Sequence, residues 1–252
     1  MQPVPINDYF FFGTAVRYLQ DAAKGATIHG DGFILWNLDQ FFERLEELNL
    51  QVTKRVAYDL FRLRQELAEL PADATLTVEL ASKLGYEVGS MRKTLEAELA
   101  GMEAFVISPK RIDVEKLLKD PGSLLAPDAF AALTENERLD ISEAARCIAF
   151  ERPTAAAFHL MRATEGVLRD FYSHFVKKNR CSPLLWYPMV AGLQKHRKAK
   201  KHEVILRNLD NIRLSFRNPT QHPDKTYDIH EAQDLWGLCV DAINRMTKIR
   251  AA

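Results

Sequence analysis

The sequence is poor in the features that announce common chemistries. It holds three cysteines, Cys147, Cys181 and Cys239, an odd set without metal-ligand spacing. That pattern fits reduced thiols acting as small buried apolar residues better than a disulfide framework. There is no glycine-rich phosphate loop, no Gly-x-Ser-x-Gly and no His-Glu-x-x-His, so the usual nucleotide, hydrolase and zinc signatures are missing. No apolar run approaches the roughly 18–20 residues a membrane span needs. The longest N-terminal candidate, Tyr9 to Val16, is too short for one and lacks a basic leader, so no signal peptide is expected. These absences lead to the expectation of a cytoplasmic protein with no metal and no cofactor. Glycine and proline are also scarce, 11 each in 252 residues, which leaves room for long helices.

What the chain has is charge, unevenly placed. Lys plus Arg and Asp plus Glu both total 34, yet residues 1–170 carry 19 basic and 27 acidic groups while residues 171–252 carry 15 and 7. A split of this kind points to a polyanionic partner for the basic half, or to the halves facing each other. Between Phe171 and His202 there is no acidic residue and there are eight cations, among them Lys195, Arg197, Lys198, Lys200 and Lys201. Tyr172, Trp186 and Tyr187 interleave with them and could stack on exposed bases. The alternative is a solvated helix end whose aromatics belong to the core.

Apolar spacing predicts helices along most of the chain. A first helix over 6–24 stops at Gly25. From Leu38 to Leu70 apolar residues recur at three and four, giving one long helix or two broken near Asn49, which would serve packing or a dimer surface. Residues 77–100 are again helical. With Gly85 as a turn and Phe105-Val106-Ile107 as a wing, 77–95 superficially reads as helix-turn-helix, but its second helix would bring only Arg92 and Lys93, so an antiparallel helix pair fits better. Residues 108–133, with Pro109, Pro121, Gly122 and Pro127, read as a linker. Helical pattern resumes at Thr134-x-x-Glu137, a capping box, and Asp228-x-x-Glu231 caps a last helix. The expected architecture is all-α: an N-terminal helical region (1–107), the linker (108–133) and a helical domain (134–252).

The candidate chemistry lies at Arg217-Asn218-Pro219-Thr220-Gln221-His222. Arginine and histidine together suit metal-free RNA cleavage: a neutral imidazole takes the proton from a ribose 2′-hydroxyl while a guanidinium holds the phosphate. The spacing alone is common. Arg152/His159, Arg169/His174 and Arg197/His202 also have four to six residues between arginine and histidine. Arg169 and His174 lie in one helical stretch, where five residues turn the chain by ~500° and leave the side chains ~140° apart. Only Arg217/His222 spans a break that can fold both groups to one place. The alternative is an arginine paired with Glu165 or Asp210 and a histidine capping a helix.

The stretch Arg213-Leu214-Ser215-Phe216-Arg217-Asn218-Pro219-Thr220-Gln221-His222, with Tyr227 and the capped helix at Glu231-Ala232-Gln233-Asp234-Leu235, resembles the C-terminal motif of HEPN-superfamily helical domains. Asp140-Ile141-x-x-Ala144 and Phe158-His159-Leu160-Met161-Arg162-x-x-Glu165 are similar to the paired helices of bacterial proteins with this ending. The resemblance covers about residues 134–252. It implies a helical bundle of the HEPN type and, in many members, a metal-independent endoribonuclease of toxin–antitoxin or antiviral defence systems. It further implies a composite site at a homodimer interface and an antitoxin or defence-complex partner. Other members are catalytically silent scaffolds or nucleotide-binding modules. By match, Arg217 and His222 take the catalytic positions and Asn218 the polar one. Lys195, Arg197, Lys198, Lys200, Lys201 and Arg213 would bind RNA, with Glu165 and Tyr227 in support. In toxins controlled by tyrosine adenylylation the tyrosine lies two residues after the histidine. Here that place is Asp224, so this control is not expected. A DNA-binding regulator is the remote third reading.

Overall fold

Helix caps and apolar stripes written in the sequence become the elements of a computed structural model that describes residues 5–177, 183–218 and 224–251. It is 72% helical, without a strand or sheet among the described residues, so the all-α class holds. The chain divides into two units, Met1–Phe105 and Val106–Ala252.

In the first unit, α1 (Ile6–Asp21), α2 (Ile34–Glu47), α3 (Gln51–Val56), α4 (Tyr58–Ala68) and α5 (Val78–Leu99) enclose one core. Phe12 of α1 stacks on Phe41 of α2 with centroids 5.7 Å apart, and Leu38, Leu45, Leu60, Leu63, Leu84 and Val88 are fully buried around them. The apolar periodicity of 38–70 breaks at Asn49, whose φ is +54°, and again at Ala57, so the stretch forms three helices. Two loops pair through one antiparallel bridge, Thr27 with Thr75. Residues 77–95 form neither a helix-turn-helix nor a helix pair. Thr77 caps a single 22-residue helix, and Gly85 lies inside it, where a Cβ would stand 3.3 Å from the Gln20 carbonyl. That glycine admits α1 rather than turning the chain. Phe105 and Val106, 86% and 84% exposed, pair with no strand.

The second unit begins earlier than the sequence suggested. The stretch read as a linker, 108–133, contributes α6 (Val114–Lys119), a 3-10 turn (Pro121–Leu124) and the buried side chains Leu117, Leu125, Ala129 and Leu133. Buried Gln233 accepts from the Arg111 amide at 2.8 Å, and Asn244 accepts from the Ala126 amide at 2.9 Å. The prolines shape a packed segment there. Its core is built on α7 (Glu135–Ala149), α8 (Pro153–Phe175) and, at the C-terminus, α11 (Ile229–Ala251). Alanines 144, 145, 156, 157 and 163 are all buried between them, so the helices approach closely. Gly166 is required by the same approach, since a Cβ there would lie 2.6 Å from a Glu137 carboxylate oxygen. Glu137 is occupied in the capping box with Thr134 that opens α7. Helices α9 (Trp186–Lys195) and α10 (Glu203–Ile212) complete the unit.

Candidate nucleic-acid interface

Helix α10 does not end at Ile212 but widens into a π-helical turn, Arg213–Arg217, closed by the Asn218 amide bonding to the Arg213 carbonyl. Such turns are rare and recur at functional sites, because the extra residue re-aims the side chains that follow. Just ahead of it the buried Trp186 indole donates to the Leu209 carbonyl at 2.9 Å. At its far end the Tyr227 hydroxyl donates to the Phe216 carbonyl at 2.9 Å, and the two rings stack 6.1 Å apart. Tyr227 is buried, its amide bonds to the Thr154 hydroxyl at 3.2 Å, and Lys225 lies 4.5 Å above its ring. The expected supporting residue is thus a clasp that holds the turn against α8.

The turn delivers Arg217 to α8. Its Nη2 and Nε donate to Glu165 Oε2 at 3.2 and 3.3 Å, with side chains 19% and 14% exposed. The other Glu165 oxygen accepts from Arg169 at 3.0 Å. One carboxylate therefore fixes two guanidinium groups in a partly desolvated place, the alternative pairing the sequence left open for this arginine. Asp210 takes Arg213 at 2.9 Å, and Arg213 also stacks 4.9 Å over the Tyr187 ring. Asn218 is exposed at the end of the turn. His222 lies outside the described residues, as do Lys178, Arg180 and Cys181.

Most arginines of the unit are held by carboxylates, and the cations of the basic stretch are not. Arg146, Arg162, Arg169, Arg207, Arg245 and Arg250 each face a carboxylate. Lys195, Arg197, Lys198, Lys200 and Lys201 are all exposed, and none is held in an ion pair among the described residues, although the Lys200 charge is near enough to help Arg207 lower the pKa of the Glu203 carboxyl. Of the three interleaved aromatics, Tyr172 and Trp186 are core residues. Only Tyr187, 60% exposed, stands where a base could stack. The other two are buried because they fall on the apolar faces of α8 and α9.

Sequence reasoning assigned no role to one pair that the structure assembles. Asp140 of α7, nearly buried, lies 2.8 Å from His159 Nδ1 and 3.3 Å from Arg162 Nε. A carboxylate held at Nδ1 orients the ring and leaves Nε2 for other partners. Asp140, Arg162, Glu165 and Arg169 are among the residues lining a cleft of about 430 Å³. The available signal was an acidic residue on the apolar face of α7, next to Ile141 and Ala144.

No group of three or more His, Cys, Asp or Glu side chains among the described residues is arranged to hold a metal ion. Nor is any described helix long and apolar enough to cross a membrane. No family model, curated protein or solved structure matches the chain.

Proposed function

We propose that the C-terminal unit is an RNA-binding helical domain of HEPN type that cleaves RNA without metal, by attack of a ribose 2′-hydroxyl on the adjacent phosphate. The observation that carries the binding half is the run of exposed cations from Lys195 to Lys201, none of them held in an ion pair, in a unit where most arginines face a carboxylate. Unpaired charge on a folded surface is what phosphate contacts require, since each contact releases a counterion. In this reading His222 is the general base, Arg217 stabilises the developing phosphate charge and Asn218 orients the site. The unit acts in the cytoplasm as a homodimer, within a toxin–antitoxin or antiviral system whose partner restrains it.

A second reading has its own observation. Arg217 is already engaged by Glu165, as it would be in a catalytically silent scaffold or nucleotide-binding module. RNA cleavage in EDTA separates the two. Cleavage that survives chelation, leaves 2′,3′-cyclic phosphate ends and vanishes in His222→Ala with RNA affinity nearly intact supports the ribonuclease. Replacing Lys198, Lys200 and Lys201 together should do the reverse, weakening binding and flattening its salt slope by roughly 0.7 per lost phosphate contact. Failure of the wild type to cleave any RNA while still binding nucleotides favours the scaffold.

A further inference from the structure

Beside the unpaired cations lies a feature that neither reading uses. Phe175, at the C-terminal end of α8, is half-buried beneath three imidazoles. Its ring centroid is 4.9 Å from that of His174, 5.9 Å from that of His196 and 5.9 Å from that of His202. His174, Phe175, Lys177, His196, Arg197 and Lys198 line a cleft of about 510 Å³, and no carboxylate is among them. The Ala199 amide donates to His196 Nδ1 at 3.4 Å. In the neutral ring the proton then sits on Nε2, which becomes a hydrogen-bond donor. The cleft thus combines three lysine or arginine charges with imidazole groups, and no carboxylate lines it. Metal chelation is not its chemistry, because these histidines form no ligand cluster with one another. A tetrahedral anion with several acceptor oxygens suits this donor set.

We infer that the cleft around Phe175 is a phosphate-binding site, in which His174 and His196 and the cations Lys177, Arg197 and Lys198 grip a phosphate group, with His202 packed on the Phe175 ring beside it. The inference deepens the RNA-binding reading and rests on it for one of two phosphate sources, an RNA backbone or a free phosphate compound. Imidazoles add directional donors that screen less readily with salt than lysine charges held in solvent. They make the cleft a place where a strand is fixed in register, with the exposed lysines attracting it.

The test follows the imidazole C–H resonances of the full chain by NMR during titration with a single-stranded oligouridylate decamer and, separately, with inorganic pyrophosphate. RNA affinity of wild type and His174→Ala/His196→Ala is measured alongside by fluorescence anisotropy. The expected result is a shift of His174 and His196 with RNA and a loss of about tenfold in RNA affinity in the variant, the equivalent of one charge-assisted contact. RNA that binds without moving these resonances, and binds the variant equally well, overturns the cleft and leaves the RNA-binding reading standing. Pyrophosphate shifts without RNA binding uphold the phosphate site and overturn the RNA reading. No shift with either ligand overturns the inference. The wild-type titration decides even if the double variant fails to fold.

Discussion

Arg217 shows how one side chain can be structural, functional or both, and which experiment separates the roles. Its two bonds to Glu165 are partly shielded from water, so Arg217→Ala should cost about 1–3 kcal/mol of stability in chemical denaturation. Arg217→Lys keeps the charge but loses the fork geometry, and should keep most of the stability. If Arg217 holds phosphate in the reaction, the lysine variant folds yet cleaves RNA poorly. If cleavage tracks stability across both variants, the arginine only holds the fold. Cys239 gives an independent check on the core. Burial pushes its thiol up to about 12, against a weaker opposing effect of its hydrogen bond with Thr164. It is therefore protonated and unreactive at neutral pH. A thiol reagent should label Cys239 only after unfolding in guanidinium, as followed by mass spectrometry of the labelled peptides. Fast labelling in the native protein would contradict the packing of α11 against α8.

At the scale of elements, helix ends decide where the sequence pattern stops. Leu50 precedes α3 and has no side chain to cap it, so the cap comes from Glu98 at the end of α5. Its carboxylate accepts from the Thr53 hydroxyl at 2.7 Å and from the Thr53 and Val52 amides at 2.8 and 3.0 Å. The Thr53 hydroxyl bond, opposed by desolvation and reinforced by the two amides, holds Glu98 below its ordinary value of 4.5. A depressed folded-state pKa contributes stability above the unfolded value, and that contribution is lost as pH falls through the folded one. Glu98→Gln should therefore lower Tm at pH 7, with the gap to wild type closing in acid below about pH 4, where the wild-type carboxyl also protonates. A gap that does not change with pH would show that the charge at α3 is irrelevant. The π turn after α10 is the same lesson from the other side, because it is fixed by Trp186, Tyr227 and Glu165, all distant in sequence.

For the whole molecule, the ribonuclease proposed above would require a second proton-transfer group. One imidazole removes the 2′-proton and another donor must protonate the leaving 5′-oxygen. A two-fold axis beside residues 217–222 would supply both from identical chains. Sedimentation at micromolar concentration should then show a dimer, and mixing His222→Ala with Arg217→Ala protein should restore part of the cleavage. A strictly monomeric protein with full activity would refute this and direct attention to His159, whose ring Asp140 already orients within the same chain.

The sequence by itself determined the helical class, most helix positions and several of their caps. These depend on local periodicity and on side chains three or four residues apart, such as Thr134 with Glu137 and Asp228 with Glu231. It also marked Arg217 and the basic stretch, because composition and short spacing are local properties. Tertiary structure decided the rest. Whether 108–133 links or packs depended on Gln233 and Asn244, more than a hundred residues away. Whether Gly85 turns the chain depended on the Gln20 carbonyl, and which aromatics could meet a base depended on which faces the core had taken. The engagement of Arg217 by Glu165, and the gathering of His174, His196 and His202 on Phe175, required helices to meet. Periodicity fixes the faces of a helix, but only packing fixes which faces touch.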